Sequence, residues 1–101
     1  MRRGTTPVIT FNTDLDLSEV EELFVTFSQN GETIVEKNKE EVVIDDSKII
    51  VSLSQKDTLK FSLDSNDIVS VQIRTKFRNE TAVASNILKI RVKEILKDGE
   101  I

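Results

Sequence analysis

The chain has no cysteine and no histidine. Without cysteine it forms no disulfide, no thiolate metal site and no cysteine nucleophile. Without histidine it lacks the commonest neutral-pH general base and the commonest transition-metal ligand, so neither a Ser-His-Asp nor a Cys-His arrangement can be assembled within one chain. Tryptophan and tyrosine are also missing, which leaves five phenylalanines and an otherwise aliphatic core. Gly4, Gly31 and Gly99 stand apart, so there is no glycine-rich phosphate loop. No apolar run approaches the ~20 residues needed to span a bilayer as a helix. Met1-Arg2-Arg3 is followed by Gly4–Pro7 rather than by the apolar stretch of a signal peptide. The expected location is therefore a cytoplasm, or an assembly exported as a whole.

What is present is aliphatic and charged. With 38% hydrophobic and 32% charged residues, the 101-residue chain is neither disordered by composition nor membrane-embedded, and its length suits one domain. The clearest pattern is Ile68–Phe77, where Val69, Val71, Ile73, Thr75 and Phe77 alternate with Ser70, Gln72, Arg74 and Lys76. That is the period-2 signature of a strand with one buried and one solvated face.

Similar but shorter patterns predict the rest. Val8–Asn12 reads as a strand, and Pro7 before it suits a sheet edge. Asp14–Glu22 reads as a loop with one helical turn, Ser18 and Glu21 having capping-box spacing. A second strand follows from Leu23 to about Gln29, then Asn30-Gly31 as a hairpin turn and Thr33–Glu36 returning antiparallel. Lys37–Glu41 is a charged turn, Val42–Ile44 a short strand, and Asp45-Asp46-Ser47 a turn into Lys48–Leu53. Ser54 and Asp57 again have capping spacing, for a helical turn through Leu59. Phe61 and Leu63 form an edge strand or plug the core, and Asp64–Asp67 is a polar turn. Arg78–Thr81 is a third hairpin, leading to a last strand, Ala82–Val92, where Asn86 interrupts the alternation as a bulge would. Seven or eight short strands with one or two helical turns predict an all-β antiparallel sandwich, with a partly open barrel as the alternative. Residues 1–101 form one domain in this reading, with 1–6 expected to be a flexible arm.

Charge is unevenly placed. Acidic residues crowd the first half, including Asp14, Asp16, Glu19, Glu21, Glu22, Glu36, Asp45 and Asp46. Basic ones gather near the end, at Arg74, Lys76, Arg78, Lys89, Arg91 and Lys93. By parity Arg74, Lys76 and Arg78 point away from the core. A cationic face of this kind meets phosphate or an acidic partner, but it is equally the solvated face that protects a sheet. With no exposed aromatic expected beside it, the stacking platform of single-strand binders is missing, and nucleic acid is not the favoured partner. Opposite charges on one chain also suit head-to-tail packing in a ring. Asp14 with Asp16, and Asp45 with Asp46, offer oxygen ligands for a hard cation, yet aspartates are ordinary turn formers. The expectation is no metal and no cofactor. Asn79-Glu80-Thr81 matches a glycosylation sequon and is read as a turn.

Three short segments carry a resemblance. Arg2-Arg3-Gly4-Thr5-Thr6-Pro7-Val8-Ile9-Thr10-Phe11 resembles the basic-Gly-x-Thr-Pro opening of small phage and prophage proteins of Gram-positive bacteria. Leu53-Ser54-Gln55-Lys56-Asp57-Thr58 and Leu96-Lys97-Asp98-Gly99-Glu100-Ile101 resemble an internal segment and the ending of the same proteins. The order of elements is similar to the immunoglobulin-like N-terminal domain of phage baseplate upper proteins. What this resemblance implies is an immunoglobulin-like sandwich, no catalytic residues, and docking onto other phage structural proteins or onto itself. Those proteins carry receptor binding in a later domain, and this sequence departs from them by ending at Ile101, so the expected role is docking or structural. The expected function is a non-enzymatic structural or accessory component of a phage tail, baseplate or prophage-derived particle. Its candidate contacts are Arg2 and Arg3 of the arm with Arg74, Lys76, Arg78, Lys89 and Arg91. The alternative is a small nucleic-acid-binding regulator using the basic hairpin.

Overall fold

The computed structural model describes residues 1–62 and 68–92. Its strands in chain order are β1 (Val8–Asn12), β2 (Val20–Gln29), β3 (Glu32–Asn38), β4 (Val43–Asp45), β5 (Lys48–Ser52), β6 (Ile68–Phe77), β7 (Ala82–Ala84) and β8 (Leu88–Arg91). One short helix, α1 (Gln55–Leu59), lies between β5 and β6. All pairings are antiparallel, in a three-stranded sheet ordered β1-β5-β4 and a five-stranded sheet ordered β3-β2-β6, with β7 and β8 sharing the far side of β6. The protein is thus mostly β, in two open sheets consistent with a sandwich.

Alternation places the core. Leu23, Val25 and Phe27 of β2 and Val69, Val71 and Ile73 of β6 turn their side chains inward, and Phe11, Ile49, Val51 and Leu53 do so from the first sheet. Phe61, just after α1, is fully buried and meets Phe27 with ring centroids 6.3 Å apart, tilted by 59°. It therefore plugs the core and does not form an edge strand. Leu63, the turn Asp64–Asp67, Lys93 and the segment Leu96–Ile101 lie outside the described residues.

Local chemistry sets the connections. Asn30 and Gly31 both have positive φ, 52° and 77°, as a tight hairpin between twisted strands requires. Open space surrounds the position of a Cβ on Gly31, so a side chain there meets only the backbone penalty. Gly31→Ala is expected to lower stability by about 1–2 kcal/mol, read as a drop in Tm of about 4–8 °C per kcal/mol. Ser54 and Asp57 form the anticipated capping box: Asp57 N–H donates to Ser54 Oγ at 3.0 Å, and Ser54 N–H to Asp57 Oδ2 at 2.9 Å.

Several boundaries differ from the sequence reading. The turn before β2 spans Leu17–Glu19 and is capped by Asp16, whose Oδ1 accepts from Ser18 N–H at 3.0 Å. Glu21 lies inside β2, so Ser18 and Glu21 form no capping box. Lys37 belongs to β3 rather than to a turn, and Asn38 and Glu41 make the capping box of the turn that follows. The last strand is divided. Arg74 faces Ala84 while Val71 faces Leu88, so three steps along β6 match four along its partner. That extra residue is the bulge suggested by Asn86. Ser85 fills the gap by accepting Ile73 N–H on its own Oγ at 2.9 Å.

Candidate interaction surface

Residues directly opposite in an antiparallel pair share a face. Outward on the five-stranded sheet, Phe24 is opposite Arg74, Glu22 opposite Lys76, Arg74 opposite Ala84, Lys76 opposite Ala82, and Ser70 opposite Lys89. Arg74 and Lys76 thus point outward, as their parity predicts, and Lys89 and Arg91 join them on that face. Arg78 is the first residue past β6, at the end of that face, with its backbone N–H bonded to Glu19 O at 3.1 Å.

Three of these cations sit beside carboxylates. Arg74 Nη2 is 3.5 Å from Glu36 Oε2, Lys76 Nζ is 3.3 Å from Glu80 Oε2, and Arg78 Nε is 3.7 Å from Glu19 Oε2. Glu80, by hydrogen bond and charge together and with Glu22 adding to it, holds the Lys76 ammonium above the ordinary lysine pKa. All three pairs are solvent-exposed, so each contributes little stability. Their effect is to neutralise the basic face locally.

The face also carries an aromatic, set outward by the same alternation that turns Leu23, Val25 and Phe27 inward. Phe24 sits between the inward Leu23 and Val25, half-buried, with the Arg74 guanidinium 5.4 Å from its ring centroid. Phe24, Ala82 and Ala84 line a shallow groove of about 310 Å³ whose polar rim is Glu22, Arg74 and Lys76. An aromatic does therefore accompany the basic residues, contrary to the sequence reading. The signal for its outward position is the parity of β2, while its pairing with Arg74 requires the β2–β6 register.

Arg2 and Arg3 lie elsewhere. The arm runs from β8, where Met1 N donates to Arg91 O at 2.9 Å, across the end of α1 and into β1. Arg3 donates from Nε to Phe61 O and from Nη2 to Leu59 O, both at 2.8 Å, satisfying carbonyls that a helix C-terminus leaves unpaired. Gln55 Nε2 donates to Gly4 O, and Thr58 Oγ1 to Thr5 O. The arm thereby links β8 to α1. An open groove of about 540 Å³ runs between β1 and the β7–β8 bulge, lined by Phe11, Ile49, Ile73, Val83 and Leu88.

A second feature unseen in the sequence ties β3 to α1. Lys37, on the inward side of β3, places Nζ 2.9 Å from Asp57 Oδ2, with both side chains largely covered. Burial pushes the Asp57 carboxyl up, but the Ser54 N–H and the Lys37 ammonium outweigh it and leave the group below its ordinary value.

Among the described residues no three acidic side chains come together as a metal site, and no helix is long and apolar enough to cross a membrane. No protein-family model matches the chain, and no curated protein or solved structure matches it either.

Proposed function

We propose that this protein works by contact, as a non-enzymatic structural or accessory component of a phage tail, baseplate or prophage-derived particle. The observation that carries the contact reading is the state of its surface. The cations Arg74, Lys76 and Arg78 are matched by carboxylates of the same chain, while Val8, Val43, Ile87 and Leu88 stand exposed. Such a surface suits a protein partner better than a phosphate backbone.

The strand order supports an immunoglobulin-like reading. With β1 in the place of strand B, the sheets β1-β5-β4 and β3-β2-β6-β7/β8 follow the orders B-E-D and C′-C-F-G. Fold alone does not assign function. The phage setting comes from the resemblance of Arg2–Phe11 and Leu53–Thr58 to the small phage proteins. Quantitative mass spectrometry of purified particles from the source phage or induced prophage tests it. The protein is expected at a fixed copy number per particle, and its absence from intact particles contradicts the reading.

Phe24 under Arg74 favours one alternative, a nucleic-acid-binding face of Phe24, Arg74, Lys76, Lys89 and Arg91. That reading predicts binding to single-stranded DNA that falls steeply with salt and is lost in the triple charge reversal of Arg74, Lys76 and Arg78 without loss of fold.

A further inference from the structure

We propose that β1 is a self-association strand, two copies pairing antiparallel along it about a two-fold axis at Thr10. The inference rests on the contact reading above and gives it a first partner, a second copy of this chain.

Among the described residues, the backbone of β1 is satisfied on one side only. Leu53 N–H donates to Pro7 O at 3.0 Å and Thr13 N–H to Ser47 O at 2.9 Å, in line with the register that sets Ile9 opposite Val51. Odd-numbered residues therefore exchange hydrogen bonds with β5, and the N–H and C=O groups of Val8, Thr10 and Asn12 point to the open side. β1 ends its sheet, and its five residues, Val-Ile-Thr-Phe-Asn, carry no charge. The other edges are defended as natural sheets defend theirs. β3 carries Glu32, Glu36 and Lys37, β4 has three residues, and β7–β8 is broken by its bulge and bears Lys89 and Arg91.

Charge identifies the second copy as occupant. Basic Arg2 and Arg3 precede β1, and acidic Asp14 and Asp16 follow it. With Thr10 opposite Thr10 of the second copy, Val8 faces Asn12 and each pair of open residues exchanges two hydrogen bonds. Antiparallel pairing brings the Asp14–Asp16 loop that follows β1 in one copy to the end where Arg2 and Arg3 precede β1 in the other, twice by symmetry. A parallel or shifted pairing loses this match. Arg3 is at the same time bonded to the Leu59 and Phe61 carbonyls of its own chain. The exposed Leu88 and the groove beside it lie on the same flank, adding apolar contact beside the paired strands. A five-residue edge is small against the ~1,600 Å² of a standard interface, so association is weak and concentration-dependent.

Light scattering of the full chain from low to high micromolar concentration tests this. The mass is expected to rise toward twice the monomer's and to fall back with added salt. T10K and T10E each bring like charges face to face at the axis and raise the dimer Kd more than about tenfold. An equimolar mixture of the two is expected to recover the dimer, which a folding defect cannot produce. A wild type that stays monomeric throughout, T10K or T10E dimerising as the wild type does, or a mixture that fails to recover, each overturns the proposal. A monomer found in particles overturns it while leaving the docking function standing.

Discussion

Phe27→Ala is expected to cost about 3–5 kcal/mol, whereas the same change three positions earlier, Phe24→Ala, costs about 1 kcal/mol or less. Both are phenylalanines of β2, but an odd spacing puts them on opposite faces. Phe27 is wholly buried against Phe61 and the inward residues of both sheets, so its removal loses transfer free energy and leaves a cavity. Phe24→Ala removes a half-buried ring on the outer face and its contact with Arg74. Small domains hold marginal stability, so Phe27→Ala brings the chain close to unfolding at room temperature. Urea unfolding of the two variants reads the difference. Equal costs would contradict the placing of Phe24 and Phe27 on opposite faces of β2.

The Lys37–Asp57 pair is the second large effect. One oxygen of Asp57 accepts both the Lys37 ammonium and the Ser54 N–H, each at 2.9 Å. Removing the carboxylate by Asp57→Ala takes away a cap and strands a largely covered ammonium, for an expected loss of about 2–3 kcal/mol at neutral pH. The sign with pH follows from the lowered folded-state pKa. The contribution is fully present above the unfolded value of 3.8 and is lost as pH falls through the lower folded value. The gap between wild type and Asp57→Ala, measured by urea unfolding, therefore narrows as pH drops below about 4. A gap that stays constant or widens in acid would assign the loss to packing rather than to the charge.

How much of this was legible in the sequence depends on how far each feature reaches. β1 and β6 are read to the residue, because their alternation is local and uninterrupted. The Ser54–Asp57 box and the Asn30-Gly31 turn are equally local. β2 was begun too late because Val20-Glu21-Glu22 looks polar, although only Glu21 and Glu22 are exposed and Val20 is buried. Lys37 and Asp57 read as surface charges, since nothing in either segment says that β3 and α1 meet. The outward place of Phe24 follows from the parity of Leu23, Val25 and Phe27, but its contact with Arg74 depends on the pairing of two strands. The bulge at Ser85–Ile87 was visible as a break in alternation, but the side chain of Ser85 standing in for a backbone acceptor was not. The basic-neutral-acidic run from Arg2 to Asp16 was always in view. Its meaning depends on β1 ending a sheet, which only the topology shows.

The central claim is that β1 is an edge strand, half satisfied by β5 and half open for contact. Residue-resolved amide hydrogen exchange in dilute protein measures it directly. The account predicts alternation, with Ile9, Phe11 and Thr13 exchanging slowly and Val8, Thr10 and Asn12 exchanging fast, the latter slowing as concentration rises. Protection that is uniform along β1, or that falls on Val8, Thr10 and Asn12 in dilute solution, would contradict it.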